Sequence, residues 1–123
     1  MDDDAVRVVV VDDAEDAAEA LACALRLDGY QVWIAPDGLQ ALTLIEQVKP
    51  HCVLLDIDMP GIDGSELTRR LRERYQDDLV LIAVTGWSVQ DERVKATFER
   101  ADHYLQKPFD PVVLRKLLPP LHR

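Results

Sequence analysis

Polar side chains stand at the points where apolar segments of this sequence end. The apolar segments are of the kind that forms buried strands; Val8–Val11, for example, runs directly into two acidic residues. If the strands lie parallel in one sheet, the polar groups meet at its carboxyl edge, where open α/β sheets bind ligands. Three carboxylates, a hydroxyl and an ammonium in one place suit a divalent cation together with a phosphoryl group. The residues concerned are Asp12, Asp13, Asp56, Thr85 and Lys107.

Length and charge limit the classes of protein to which the chain can belong. Its 123 residues predict a single domain that buries roughly two-thirds of its unfolded surface. The formal net charge is −9, so we expect no direct binding to nucleic acid and no attraction to an anionic membrane surface. A cation or a basic protein surface is a more suitable partner.

Cysteine content and the lengths of the apolar runs bear on the cellular compartment. Cys23 and Cys52 are too few for a disulfide framework, and both are predicted to be small core residues. The first four residues, Met-Asp-Asp-Asp, do not resemble a signal peptide. No apolar run is long enough to cross a bilayer, so we expect no membrane insertion. These features predict a reducing, cytoplasmic location.

Predicted strands and helices alternate along the chain. The strands are predicted at Val6–Val11, Gln31–Ala35, Cys52–Ile57, Leu79–Val84 and Asp102–Leu105. The helices are predicted at Ala14–Leu27, Gly38–Val48, Asp63–Tyr75, Ser88 to about Arg100, and from Asp110 to the Pro119-Pro120 pair. Five strand–helix units with nearly continuous apolar strands predict a parallel sheet covered by helices on both faces. We expect one domain over residues 1–123, with no internal linker.

Capping residues mark several of the helix ends. Gly29 is expected to close the first helix, and Asp37 to cap the second. Asp63, with Glu66 three residues later, has the pattern of a capping box at the start of the third helix. Asp110 is followed by a proline, which suits the first turn of the last helix.

Four motifs at the predicted strand ends resemble those of one known family. Their order and spacing are similar to those of the receiver domains of bacterial two-component response regulators, over nearly the whole chain. The resemblance implies an α/β, doubly wound, flavodoxin-like fold with five parallel strands in the order 2-1-3-4-5. It also implies that residues 1–123 form one receiver domain, and we expect no output domain in this chain. The motifs are Val-Val-Val-Asp12-Asp13, Leu-Leu-Asp56-Ile-Asp-Met-Pro-Gly, Ala-Val-Thr85-Gly and Ala-Asp-His-Tyr104-Leu-Gln-Lys107-Pro108-Phe.

The resemblance assigns a cation and a reaction to the acidic cluster. Asp56 would accept a phosphoryl group from a phosphohistidine on a sensor histidine kinase or a histidine phosphotransfer protein. Repulsion between its charge and the neighbouring carboxylates would be relieved by Mg²⁺, for which Mn²⁺ can substitute. Asp13, Asp56 and the backbone carbonyl of Asp58 would be direct ligands, and Asp12 would hold a metal-bound water.

The resemblance also assigns roles around the phosphoryl group. Lys107, joined to its proline by a cis peptide bond, would pair with one phosphoryl oxygen, and Thr85 would hydrogen-bond another. Thr85 and Tyr104 would form a switch that acts through the fourth helix, fifth strand and fifth helix on an unidentified downstream protein. Asp58 and Trp87 would control the access of water. Such a chain is not an enzyme beyond catalysing its own phosphorylation and dephosphorylation.

Some alternatives remain open on the sequence alone. Asp56-Ile57-Asp58 looks like the nucleophile motif of haloacid-dehalogenase-type phosphohydrolases, but there the motif lies on the first strand and an acidic pair follows it. A binding module that has lost phosphorylation is disfavoured because the site is complete, and flavin binding lacks a Ser/Thr/Gly-rich loop after strand one. Tyr104 could instead be an ordinary strand residue, and Trp87 an exposed loop residue or a partner contact.

One departure from the family pattern concerns dimerisation. DNA-binding response regulators often have Glu before Leu in the last helix, as part of a charged dimer face, whereas Val113 precedes Leu114 here. The same helix is cut short by two prolines. The resemblance therefore does not support a charged dimer through the fourth and fifth helices, and the sequence leaves the oligomeric state open.

Overall fold

The structure is a computed structural model, and it describes residues 5–58, 64–86, 95 and 100–120. The strands are β1 (Arg7–Val11), β2 (Gln31–Ala35), β3 (Cys52–Asp56), β4 (Val80–Thr85) and β5 (His103–Gln106). The helices are α1 (Glu15–Leu27), α2 (Gly38–Val48), α3 (Gly64–Tyr75) and a C-terminal helix (Pro111–Leu117), with a 3-10 turn at Gln76–Asp78. Of the predicted fourth helix only Lys95 and Arg100 lie in the described part, and both are helical.

The five strands form one parallel sheet in the order β2-β1-β3-β4-β5, as predicted. The register pairs Val11 with Leu55 and Thr85 with Gln106, so the carboxyl ends of the strands lie along one edge. The three central strands are almost wholly buried, which explains their continuous apolar sequences. β2 and β5 are the edge strands and show partial exposure.

The core has two halves because strand side chains alternate between the faces of the sheet. On one face, Val8 and Val10 pack in a cluster that includes Leu25 of α1 and Leu114 of the C-terminal helix. On the other face, a second cluster lies beneath α2 and α3; its members include Val9, Val53, Ile45, Leu67 and Leu81. Full burial of each such side chain stabilises the fold by roughly 1.5–3 kcal/mol, which holds the sheet edge in place.

Several predicted helix ends are confirmed. Gly29 follows α1 with φ 111°, its N–H donates to the carbonyl of Arg26, and the N–H of Tyr30 donates to the carbonyl of Leu25. The Asp37 carboxylate accepts from an amide in the first turn of α2, and the Asp110 carboxylate does the same for the C-terminal helix. The predicted cap at position 63 lies outside the described residues.

Two sequence expectations need correction. Cys23 is exposed rather than buried, because it follows the buried Ala22 and the helix turns it about 100° away from the core. β3 ends at Asp56 rather than Ile57, whereas β4 continues to Thr85. Both polar side chains therefore occupy the last residue of a strand. In the part of the chain that the structure describes, no helix is long and apolar enough to span a bilayer.

Candidate functional site

Three carboxylates meet at the carboxyl edge of the sheet. Asp12 and Asp13 follow the last residue of β1, and Asp56 is the last residue of the adjacent β3. One oxygen from each carboxylate lies within 4.8 Å of the others. The N–H of Asp12 donates to the carbonyl of Ala35 at 3.1 Å, which fixes the acidic pair against β2. Parallel pairing thus produces the cluster from residues far apart in sequence.

Asp56 is the most buried of the three carboxylates, with 6% of its surface exposed. Its Oδ2 accepts a hydrogen bond from Nζ of Lys107 at 2.9 Å, and its Oδ1 accepts from the N–H of Asp58, also at 2.9 Å. These contacts fix the plane of the carboxylate. Each oxygen has a second acceptor position, so the group can still bind a cation or act as a nucleophile.

Lys107 reaches Asp56 from the end of β5. Its N–H donates to the carbonyl of Thr85 at 2.7 Å, and its peptide bond to Pro108 is cis, as predicted. Burial disfavours the charge on Lys107, but the hydrogen bond and charge of Asp56 hold the pKa of the ammonium above its ordinary value. The side chain is therefore a fixed cation beside the central carboxylate.

The Asp12 carboxylate is electrostatically unfavourable in the absence of a cation. Burial raises the pKa of this carboxyl, and the negative charge of Asp56 raises it further. The amide of Ala14, which donates to Oδ1 of Asp12 at 2.9 Å, and the charge of Lys107 act in the opposite direction without cancelling the effect. The neighbouring Asp13 is exposed. The arrangement favours a bound cation.

The Asp58 side chain, which lies just after β3, accepts hydrogen bonds from the end of β4. Its Oδ1 accepts from the hydroxyl of Thr85 at 2.9 Å, and its Oδ2 accepts from the N–H of Gly86 at 2.8 Å. Thr85 is completely buried. Our sequence reasoning gave Asp58 only a backbone ligand and a role in water access, and missed these side-chain contacts. The available signal was a carboxylate and a hydroxyl just at the ends of two predicted neighbouring strands.

Tyr104 and Trp87 are the two remaining candidate residues. Tyr104 is on β5, opposite Ala83 of β4, and 48% of its surface is exposed. Trp87 lies outside the described residues, so its predicted position near the site is not tested.

A partly apolar cavity of about 300 Å³ opens beside the carboxylates. Its lining includes the charged side chains of Asp56 and Lys107 and the apolar side chains of Leu21 and Phe109. A larger cavity of about 450 Å³ lies by α2, but its lining contains no acidic or basic residue. Volume therefore does not mark the functional site; the cluster of three carboxylates with Lys107 does.

Comparison with known families agrees with this geometry. Residues 8–119 match the family model of the response regulator receiver domain. The chain belongs to that family. The predicted resemblance is confirmed, and the phosphohydrolase alternative loses its support. Receiver domains are signalling domains of two-component systems rather than conventional enzymes.

Relatives include longer response regulators. The chain is 43% identical over 104 residues to the response regulator MprA of Mycobacterium sp. (strain KMS), and 41% identical over 104 residues to that of Mycobacterium tuberculosis (strain ATCC 25177 / H37Ra). Each match covers 85% of this chain and 45% of the relative. The chain thus spans less than half the length of these relatives.

Solved receiver structures share the fold. A CheY-like receiver domain protein from Methanospirillum hungatei JF-1 has a TM-score of 0.82 and 28% identity, and the match covers 91% of this chain and 89% of that one. The response regulator TrrA from Thermotoga maritima, solved in complex with Mg(2+)-BeF, has a TM-score of 0.78 and 31% identity. That match covers 92% of this chain and 99% of TrrA. The predicted fold is confirmed.

Proposed function

We propose that Asp56 is the phosphoacceptor of this receiver domain, and that its donor is a sensor histidine kinase or a histidine phosphotransfer protein. The observation that carries the proposal is a buried carboxylate held between Lys107 and two further carboxylates at the carboxyl edge of the sheet. One Asp56 oxygen attacks the phosphorus, the phosphorus–nitrogen bond of phosphohistidine breaks, and its electron pair returns to the imidazole.

The donor set fits Mg²⁺, with Mn²⁺ as a substitute. All the candidate ligands are oxygens, and burial, together with the nearby charge of Asp56, raises the pKa of Asp12, which is consistent with a site that a cation would stabilise. Asp13, Asp56 and the carbonyl of Asp58 would hold the ion directly, and Asp12 would hold it through a water. When bound, the ion would neutralise charge on the carboxylates and on the phosphoryl oxygens.

Lys107 and Thr85 would stabilise the transferred group. The ammonium already contacts Asp56 and can pair with a phosphoryl oxygen attached there. The hydroxyl of Thr85 is the predicted donor to a second oxygen. The chain would thus assist only its own phosphorylation and dephosphorylation, by positioning and electrostatics. Asp58 and Trp87 would limit attack by water on the phosphorylated Asp56.

The phosphorylation signal would be passed to a partner protein by the face of the domain that carries Tyr104. We propose that phosphorylation moves Thr85, changes the space available to Tyr104, and alters a surface made of the predicted fourth helix, β5 and the C-terminal helix. An unidentified protein would bind this surface in one of its two arrangements. The acidic chain suits a cytoplasmic role without direct nucleic-acid contact. We propose that residues 1–123 act as one receiver domain.

The mass of the intact protein after incubation with acetyl phosphate tests the reaction. We expect one phosphoryl group in the presence of Mg²⁺, none in the presence of EDTA, and none on the Asp56→Asn variant. Asp16→Asn is a matched control because it makes the same change at an exposed position in the first turn of α1. Labelling of Asp56→Asn at another residue would refute the assignment.

A further inference from the structure

Both oxygens of the Asp58 carboxylate are engaged with the end of β4. Oδ1 accepts the hydroxyl proton of Thr85, and Oδ2 accepts the amide proton of Gly86. The donor–acceptor distances are 2.9 and 2.8 Å, the range of well-formed charge-assisted hydrogen bonds. The carboxylate therefore bridges two consecutive residues and holds the start of the segment that follows β4.

These contacts conflict with the role proposed for Thr85. A hydroxyl has one proton to donate, and in this structure Asp58 accepts it. A phosphoryl oxygen on Asp56 would require that same proton. The two acceptors are both anionic, so they would also repel each other if they stood close to one donor. Thr85 can satisfy one of them at a time.

Asp58 also contacts the phosphoacceptor directly. Its backbone N–H donates to Oδ1 of Asp56 at 2.9 Å, while its side chain holds Thr85 and Gly86. One residue thus touches the reacting carboxylate through its amide and the end of β4 through its carboxylate. A change at Asp56 reaches Asp58 through a single hydrogen bond.

We propose that the Asp58 side chain is a positioning residue that competes with the phosphoryl group for Thr85. In the unphosphorylated state it occupies the donors of Thr85 and Gly86 and keeps the end of β4 in its resting arrangement. Phosphorylation supplies a stronger acceptor, and the side chain of Asp58 releases Thr85. Such a competitor lowers the affinity for the phosphoryl group and shifts the population toward the resting state. This inference rests on the proposed phosphorylation of Asp56.

The variant Asp58→Ala separates the side chain from the backbone. It removes the competing carboxylate but retains the amide that contacts Asp56 and the carbonyl proposed to bind the cation. The probe is fluoroberyllate, a mimic of the phosphoryl group, in the presence of Mg²⁺. Titration calorimetry should show that Asp58→Ala binds it about tenfold more tightly than wild type does, because a hydrogen bond to a charged competitor is lost. A merely structural residue would give weaker binding when truncated. Equal or weaker binding of fluoroberyllate would overturn the proposal.

A double-mutant cycle distinguishes competition for Thr85 from simple loss of a negative charge. In a Thr85→Val background the hydroxyl is absent, so Asp58→Ala should tighten binding by only about threefold or less. An undiminished tenfold gain in that background would mean that charge alone is responsible and would overturn the proposal. The exposed Asp16→Asn change should alter affinity less than about twofold, since an exposed charge is screened.

Amide NMR of the metal-free protein tests the resting contact independently. The Gly86 amide proton should move upfield in Asp58→Ala because it loses a charged acceptor, whereas Asp16→Asn should leave it in place. An unchanged Gly86 resonance in Asp58→Ala would refute the resting contact.

If wild type binds no fluoroberyllate with Mg²⁺, the proposed function fails and the competition fails with it. If wild type binds and Asp58→Ala does not bind more tightly, only the competition fails.

Discussion

Replacing Asp12 with Asn should stabilise the metal-free protein. The substitution removes one negative charge from the cluster of Asp12, Asp13 and Asp56. The Asn side chain retains an oxygen that can accept the hydrogen bond from the Ala14 amide. The change therefore tests charge repulsion while it leaves the start of α1 intact.

The size of the effect follows from the separation of the charges. Carboxylate oxygens of the cluster lie within 4.8 Å of one another. Two unit charges at that distance repel by about 3.5 kcal/mol at an effective dielectric constant of about 20, and by about 0.9 kcal/mol in bulk water. Asp12 is only partly buried and Lys107 attracts it, so solvent and the ammonium reduce the repulsion. We expect a net gain of about 1 kcal/mol in the free energy of unfolding.

Urea unfolding monitored by circular dichroism provides the assay. In EDTA, a gain of about 1 kcal/mol raises the unfolding midpoint of Asp12→Asn by about 0.5 M, with the slope unchanged. In Mg²⁺ the difference should shrink or reverse, because ion at 100 times its dissociation constant stabilises wild type by about 2.7 kcal/mol and the variant binds more weakly.

The control for this prediction is Asp16→Asn. That carboxylate lies exposed in the first turn of α1, where a negative charge is favourable, so its removal should give no gain. If Asp12→Asn is as stable as wild type or less stable in EDTA, the cluster is not strained by repulsion and our explanation for the proposed cation site is wrong.

Two further predictions concern the stability of the fold rather than the reaction. Arg72 donates hydrogen bonds to the carbonyls of Gln76, Leu79 and Arg100 and to the Asp102 carboxylate. We therefore expect Arg72→Ala to lower the free energy of unfolding by about 2 kcal/mol. Urea unfolding measures this change, and a loss below about 0.5 kcal/mol would contradict the prediction. Hydrogen bonds from two arginines lower the pKa of Glu66 to about 2, below its ordinary value of 4.5. The contribution of the ionised Glu66 carboxylate to stability is therefore present above pH 4.5 and is lost as the pH falls toward 2. NMR titration of the Glu66 carboxyl should show its midpoint below pH 3, and a midpoint near 4.5 would contradict the pairing.

The sequence by itself determined the features that depend on local rules. The cap at Asp37, the left-handed Gly29 after α1 and the start of the C-terminal helix after Asp110 follow from the hydrogen-bonding and steric preferences of single residues. The apolar strands and the polar residues at their ends were also visible, because a parallel sheet requires buried strands and places their carboxyl ends together. Family membership followed from the same motifs.

Only the tertiary structure decided which side chains contact each other across the sheet edge. Asp58 and Thr85 are 27 positions apart, and their hydrogen bond depends on the register between β3 and β4 and on the direction of the chain after each strand. Likewise, the exposure of Cys23 depends on the rotation of α1 over the sheet, which the packing of Ala18, Ala22 and Leu25 sets. Composition favours burial of a cysteine, but packing geometry determines which side of the helix faces the core.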